Sequence, residues 1–100
     1  MVSGDMGDPI RMVHNVRHHR YELFVGGDLA SFVDYSPSGD AVVFDHTETI
    51  SRFRGLGLAA RVVAFALDDV RRAGLSVVPA CWFVADFIDA NPGYRDLVPA

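Results

Sequence analysis

Apolar and polar residues alternate through the first half of the chain and fall into a helical period in the second. Met12 to Val16 and Tyr21 to Val25 read as two strands, Leu29 to Tyr35 as a third and Ala41 to Ile50 as a fourth. Gly26-Gly27-Asp28 is a hairpin signal, and Ser36-Pro37-Ser38-Gly39-Asp40 is a turn. Connections this short predict an antiparallel meander. Between Leu56 and Ala73, the residues Leu58, Val62, Phe65, Ala66 and Val70 recur close to a helix period. Arg61, Asp68, Asp69, Arg71 and Arg72 are left for the outer face. Arg71 and Arg72 suit the negative end of the helix dipole, and Gly74 suits the residue just past it. Leu75 to Val78 is a short buried strand stopped by Pro79. Cys81 to Ala90 is a second helix with Val84, Phe87 and Ile88 on one face, ended by Asn91-Pro92-Gly93. Tyr94 to Val98 is a tail expected to dock on the sheet. The order β-β-β-β-α-β-α describes an α+β fold with helices packed on a mixed sheet. Its fourth and fifth strands are parallel neighbours joined by a right-handed crossover.

Composition narrows this picture. One hundred residues, half of them hydrophobic, make one small domain with enough apolar surface for a core. Residues 1–9 lack the basic and apolar regions of a signal peptide and are expected to form a flexible polar leader, with the domain at 10–100. No apolar run is long enough to cross a membrane. The net charge of −4 argues against a nucleic-acid partner. Cys81 is the single cysteine, so no internal disulfide forms, which fits a reducing cytoplasm. The high apolar fraction leaves a homodimer open. His18 and His19 would face opposite ways on a strand, and neither they nor His14 sit in a metal-ligand spacing, so no metal site is expected.

The segment Arg52-Phe53-Arg54-Gly55-Leu56-Gly57-Leu58-Ala59 joins the fourth strand to the first helix. A helix start carries unpaired N–H donors and a partial positive charge, glycines let an anion approach the backbone, and arginines add charged donors. The same glycines also serve a plain strand-to-helix turn. Gly55-Leu56-Gly57-Leu58-Ala59-Ala60 fits a dinucleotide fingerprint by spacing alone. That reading needs an acidic residue about 20 positions on, and Leu75 to Ala80 carries none.

Arg52-x-x-Gly55-x-Gly57 resembles the pyrophosphate loop of the GCN5-related N-acetyltransferases. The likeness extends over Val13 to Val98 through Phe44-Asp45-His46-Thr47-Glu48, Arg54-Gly55-x-Gly57-Leu58-Ala59, Pro79-x-Cys81-x-Phe83-Val84 and Asn91-Pro92-x-Tyr94-x-Asp96-Leu97-Val98. The combined pattern is similar to the minimal, single-domain N-acetyltransferase-like branch. The resemblance implies an acyl-CoA N-acyltransferase-like sheet and acetyl-CoA as co-substrate. It also implies a primary amine as acceptor, whether small molecule or protein, attacked directly in a ternary complex. The backbone of Arg54, Gly55, Leu56, Gly57, Leu58 and Ala59 would hold the pyrophosphate, with the Arg52 and Arg54 side chains adding charge. The pantetheine arm would lie between splayed fourth and fifth strands, along Thr47, Glu48, Thr49 and Ile50.

Candidate groups for proton transfer are Glu48, one of two glutamates, and His46. On a regular strand both share a face with Val42 and Phe44, and a bulge would change that. Cys81, at the start of the last helix, is a candidate acyl relay or a wall of the thioester pocket. Trp82 and Phe83 are expected in the core or in a pocket wall. Many acetyltransferases carry a tyrosine in the last helix to protonate the leaving thiolate. This helix has none, and Tyr94 lies just beyond it. The alternative function is therefore a non-catalytic CoA- or acyl-CoA-binding module. The nine basic residues are all arginine, so an amine acetyltransferase of this sequence has no lysine of its own to modify.

Overall fold

The predicted strands assemble into one five-stranded sheet in sequence order. The computed structural model describes residues 8–100; residues 1–7 of the expected leader lie outside the described residues. Strands β1 (Ile10–Asn15), β2 (Arg20–Val25), β3 (Asp28–Ser38) and β4 (Ala41–Thr49) form an antiparallel meander. Helix α1 (Leu58–Arg72) crosses over to β5 (Ser76–Pro79), which lies parallel to β4, and helix α2 (Trp82–Ala90) follows. Gly26 and Gly27, both at positive φ, make the two-residue hairpin between β2 and β3.

The turn after β3 and the tail depart from the sequence reading. The turn after β3 is only Gly39-Asp40, and β3 runs through Pro37 to Ser38. Proline is tolerated there because β2 pairs no farther along β3 than Asp34, so the missing N–H faces no strand. The tail forms a 3₁₀ turn (Pro92–Leu97) whose side chains bond to α1 rather than to the sheet. Arg71 grips Asp96 through two hydrogen bonds of 2.7 and 3.0 Å, and the Tyr94 hydroxyl donates to Asp68 at 2.8 Å. Leu97 reaches the core from this turn.

α1 buries a wider stripe than the period suggested. Val63 and Leu67 are sealed alongside Leu58, Val62, Ala66 and Val70, packed on Leu23, Val33 and Phe44 of the sheet. Asp69 is not on the outer face. It accepts a hydrogen bond from the Tyr21 hydroxyl at 2.7 Å.

Candidate functional site

β4 carries one residue too many. Asp34 pairs with His46 and Tyr35 with Phe44, so Asp45 is an unpaired bulge. A bulge bends its strand and resets the side-chain alternation. Ser31, Val33 and Tyr35 share a face of β3, and their partners Thr49, Thr47 and Phe44 share it too. His46 and Glu48 pair with Asp34 and Phe32 and face the other way. The regular-strand grouping of His46 and Glu48 with Val42 and Phe44 is therefore corrected. Thr47 and Thr49 replace them on the helix side of the sheet.

The sheet opens beside this bulge. β4 and β5 stay paired only from Ala41↔Ser76 to Phe44↔Pro79. Pro79 ends the ladder, and the Cys81 N–H closes it on the Phe44 carbonyl at 2.8 Å. Beyond Phe44 the outer edge of β4 has no strand partner among the described residues. Ile50 N–H bonds to the Ala30 carbonyl at 2.8 Å, so the antiparallel alternation turns the backbone groups of Thr47 and Thr49 toward this open edge. The Thr49 carbonyl accordingly accepts from Arg54 Nε at 3.2 Å.

This edge leads to the start of α1. Gly55 and Gly57 adopt φ of 84° and 75°, the left-handed region that favours glycine, and Gly57 is the N-cap. No side chain caps the helix and no acid sits in its first turn, so its first N–H groups remain available to an anion. Nothing lies within 4 Å of where a Cβ would stand on either glycine, so the turn itself, not crowding, demands them. A hollow of about 320 Å³ here is lined by Thr49, Arg54, Gly55, Gly57 and Phe83. It shares the Thr49, Arg54, Ala59 and Phe83 walls with a second hollow beside Thr47, Glu48 and Trp82. Together they form one groove from the glycine turn to the head of α2.

The remaining candidates divide. Arg54 lines the groove, whereas Arg52 turns away to Asp28 at 2.8 Å and stacks on Phe53. Leu56 is exposed beside Arg52, and the Leu58 side chain is buried in the core. Ile50 packs against the core. Glu48 borders the groove, with His46 Nε2 at 3.1 Å from its Oε1, both side chains half-exposed. Tyr94 stays on the flank of α1 with Asp68, outside the groove. Trp82 is 74% exposed at the mouth of the groove, not in the core. Its position at the first turn of α2, facing outward, is invisible to periodicity in so short a helix. Among the described residues no cluster has the makings of a metal site.

Cys81, buried at the N-cap of α2, joins β4 to this groove through Thr47, whose hydroxyl lies 3.4 Å from its sulfur. Burial pushes the thiol pKa up, but the Thr47 hydroxyl and the backbone N–H groups of Val84, Phe83 and Thr47 outweigh it and hold the thiol below its ordinary range. A folded-state pKa below the unfolded value adds stability that is present above the unfolded pKa. That stability is lost as pH falls through the folded one. Thiolate absorbance should thus titrate at lower pH in the folded protein than in the unfolded chain. Thr47→Val should raise that midpoint. An unchanged midpoint in the folded variant would show that Thr47 does not tune the sulfur.

The sequence is similar to those of known proteins. The family model described as GCN5-related N-acetyl-transferase fits residues 20–97. "Protein NATD1" of Bos taurus is 32% identical over 91 residues, covering 88% of this chain and 80% of that relative. The Homo sapiens protein of the same name is 31% identical, with the same coverage. The Mus musculus protein is 30% identical, covering 88% of this chain and 82% of that relative. No helix among the described residues is long and apolar enough to cross a membrane.

Proposed function

Because the chain belongs to the GCN5-related N-acetyl-transferase family, we propose that it binds acetyl-CoA in the β4–α1 groove and transfers the acetyl group to a primary amine. The observation that carries this reading is the continuity of three features. An uncapped, acid-free helix start meets an unpaired strand edge, and that edge leads to a polarised sulfur. Acetyl-CoA supplies an activated thioester carbonyl and a thiolate leaving group.

The chain supplies the rest. Backbone N–H groups from Gly55 to Ala59 bind the pyrophosphate, with Arg54 adding charge. Thr47 and Thr49 offer the strand edge to the amide-bearing arm. Glu48 takes the proton that the amine loses as its C–N bond forms and the thioester C–S bond breaks, directly or through water. His46 positions Glu48 through their 3.1 Å contact. No tyrosine lies on α2 to protonate the departing thiolate. Thr47 and the N–H groups around Cys81 are the donors at that end of the groove.

The test is turnover and CoA affinity measured together over a panel of primary amines. Glu48→Gln should lower kcat by about 10²-fold or more with CoA affinity kept. Cys81→Ala should retain turnover if attack is direct and abolish it if the sulfur carries the acetyl group. Unchanged kcat in Glu48→Gln would remove Glu48 as the base. CoA binding without turnover on any amine would make the domain a binding module, the reading that the missing α2 tyrosine favours.

A further inference from the structure

A separate hollow of about 260 Å³ lies under the C-terminal half of α1, away from the glycine turn at the helix start. Its walls are aliphatic, among them Val42, Val70 and Leu75. Its polar end is a connected cluster contributed by three strands and the helix. His14 Nδ1 lies 3.2 Å from Asp69 Oδ2, His14 Nε2 lies 2.6 Å from the Tyr35 hydroxyl, and the Tyr21 hydroxyl donates to Asp69 at 2.7 Å. The His14 and Tyr21 rings stack at 4.1 Å. His19, at the exposed rim, sets its ring 5.3 Å from Tyr35. It is the left-handed cap (φ 49°) of the 3₁₀ turn Val16–His18, its N–H bonded to the Val16 carbonyl.

Counting donors and acceptors shows what this cluster can take. Burial foremost, and Asp69 next, push the pKa values of Tyr21 and Tyr35 up, so both phenols keep their protons. Asp69 Oδ2 accepts the Tyr21 proton, and His14 Nδ1 lies 3.2 Å from the same oxygen. Asp69 and Tyr35, which line the hollow, offer it oxygen lone pairs. An anionic head group would face the Asp69 carboxylate; the His19 ring, an N–H donor, stands at the exposed rim. Arg72 reaches Asp69 only at 3.6 Å and does not line the hollow. An ammonium would find acceptors, a negative charge and aromatic faces together. We infer that this hollow is a second ligand site, for a small organic amine whose apolar body fills the aliphatic walls and whose ammonium meets Asp69 and Tyr35. It is physically distinct from the groove and does not depend on acetyl transfer.

An isosteric series tests this: hexylamine, 1-hexanol and hexanoate, each titrated into the full chain and followed through assigned backbone amide NMR shifts. Hexylamine should give saturable shifts centred on residues 14, 35, 42, 69 and 73, hexanol weaker ones there, and hexanoate none. Asp69→Asn should weaken hexylamine at least tenfold and bring it level with hexanol. Should that variant not fold, Ala73→Leu, at an exposed position on the rim, should block the hollow and abolish the shifts. Hexanoate binding as well as hexylamine would overturn the proposal. So would an absence of saturable shifts at 20-fold excess over millimolar protein, or shifts centred on residues 47–59.

Discussion

Gly57→Glu should fold and lose coenzyme A. The space around Gly57 is open, so a side chain meets no clash; the cost is a non-glycine residue at φ 75°, roughly 1–2 kcal/mol. A carboxylate at the start of α1 recovers part of this through the helix dipole, about 0.3–1 kcal/mol. The same carboxylate occupies the place offered to the pyrophosphate and repels it. Affinity for CoA by calorimetry should fall at least about 100-fold, equivalent to about 2.7 kcal/mol. Gly74→Glu is the matched control. It carries a similar φ of 74° and equally open space at the far end of α1, so it bears comparable strain and the same charge. It should leave CoA affinity within about threefold. Binding retained in Gly57→Glu would return the glycine turn to a purely structural role.

Phe44→Ala should be the most damaging single core substitution. The ring is 1% exposed and packs against Tyr21 and Tyr35. Removing a buried phenylalanine side chain costs about 3–5 kcal/mol, against a total of about 5–15 kcal/mol for a domain. Phe44 is also the last β4 residue paired to β5, and its carbonyl receives the Cys81 N–H. A cavity there loosens the hinge at which the strands part. Tm should fall by about 12 °C or more, and CoA affinity should fall with it even at temperatures where the variant remains folded. Phe44→Leu should restore most of both. A loss of less than about 1 kcal/mol by urea unfolding would show that Phe44 does not hold this junction.

The strands and helices were legible because period-2 and period-3.6 patterns report burial directly, and the glycines at 26, 27, 55 and 57 marked the places where φ turns positive. The parting of β4 from β5 was legible through family resemblance and, in part, through Pro79, which marks the end of the fifth strand. The Asp45 bulge beside it is a pairing mismatch between two strands, and a single strand's sequence does not display it. That is why His46 and Glu48 appeared on the face that Thr47 and Thr49 occupy. The partnership of Thr47 with Cys81 joins residues 34 apart and escaped for the same reason. The arginine pair was only half legible. Arg52 and Arg54 differ in direction because Asp28, across the sheet edge, captures the first and the Thr49 carbonyl holds the second. The His14–Tyr21–Tyr35–Asp69 cluster depends on four elements meeting and left no sequence signal beyond three histidines, His14, His18 and His19, in and just after the first strand.

Thermal unfolding of the wild-type chain with and without acetyl-CoA tests the central claim most directly, with CoA and NAD at equal concentration as comparators. A ligand at about 100 times its Kd adds about 2.7 kcal/mol, and each kcal/mol moves Tm by roughly 4–8 °C in a domain of this size. Acetyl-CoA and CoA should each raise Tm by about 10 °C or more, and NAD should leave it unchanged. No shift with millimolar acetyl-CoA, or an equal shift with NAD, would contradict the assignment of the β4–α1 groove to the acyl-CoA arm.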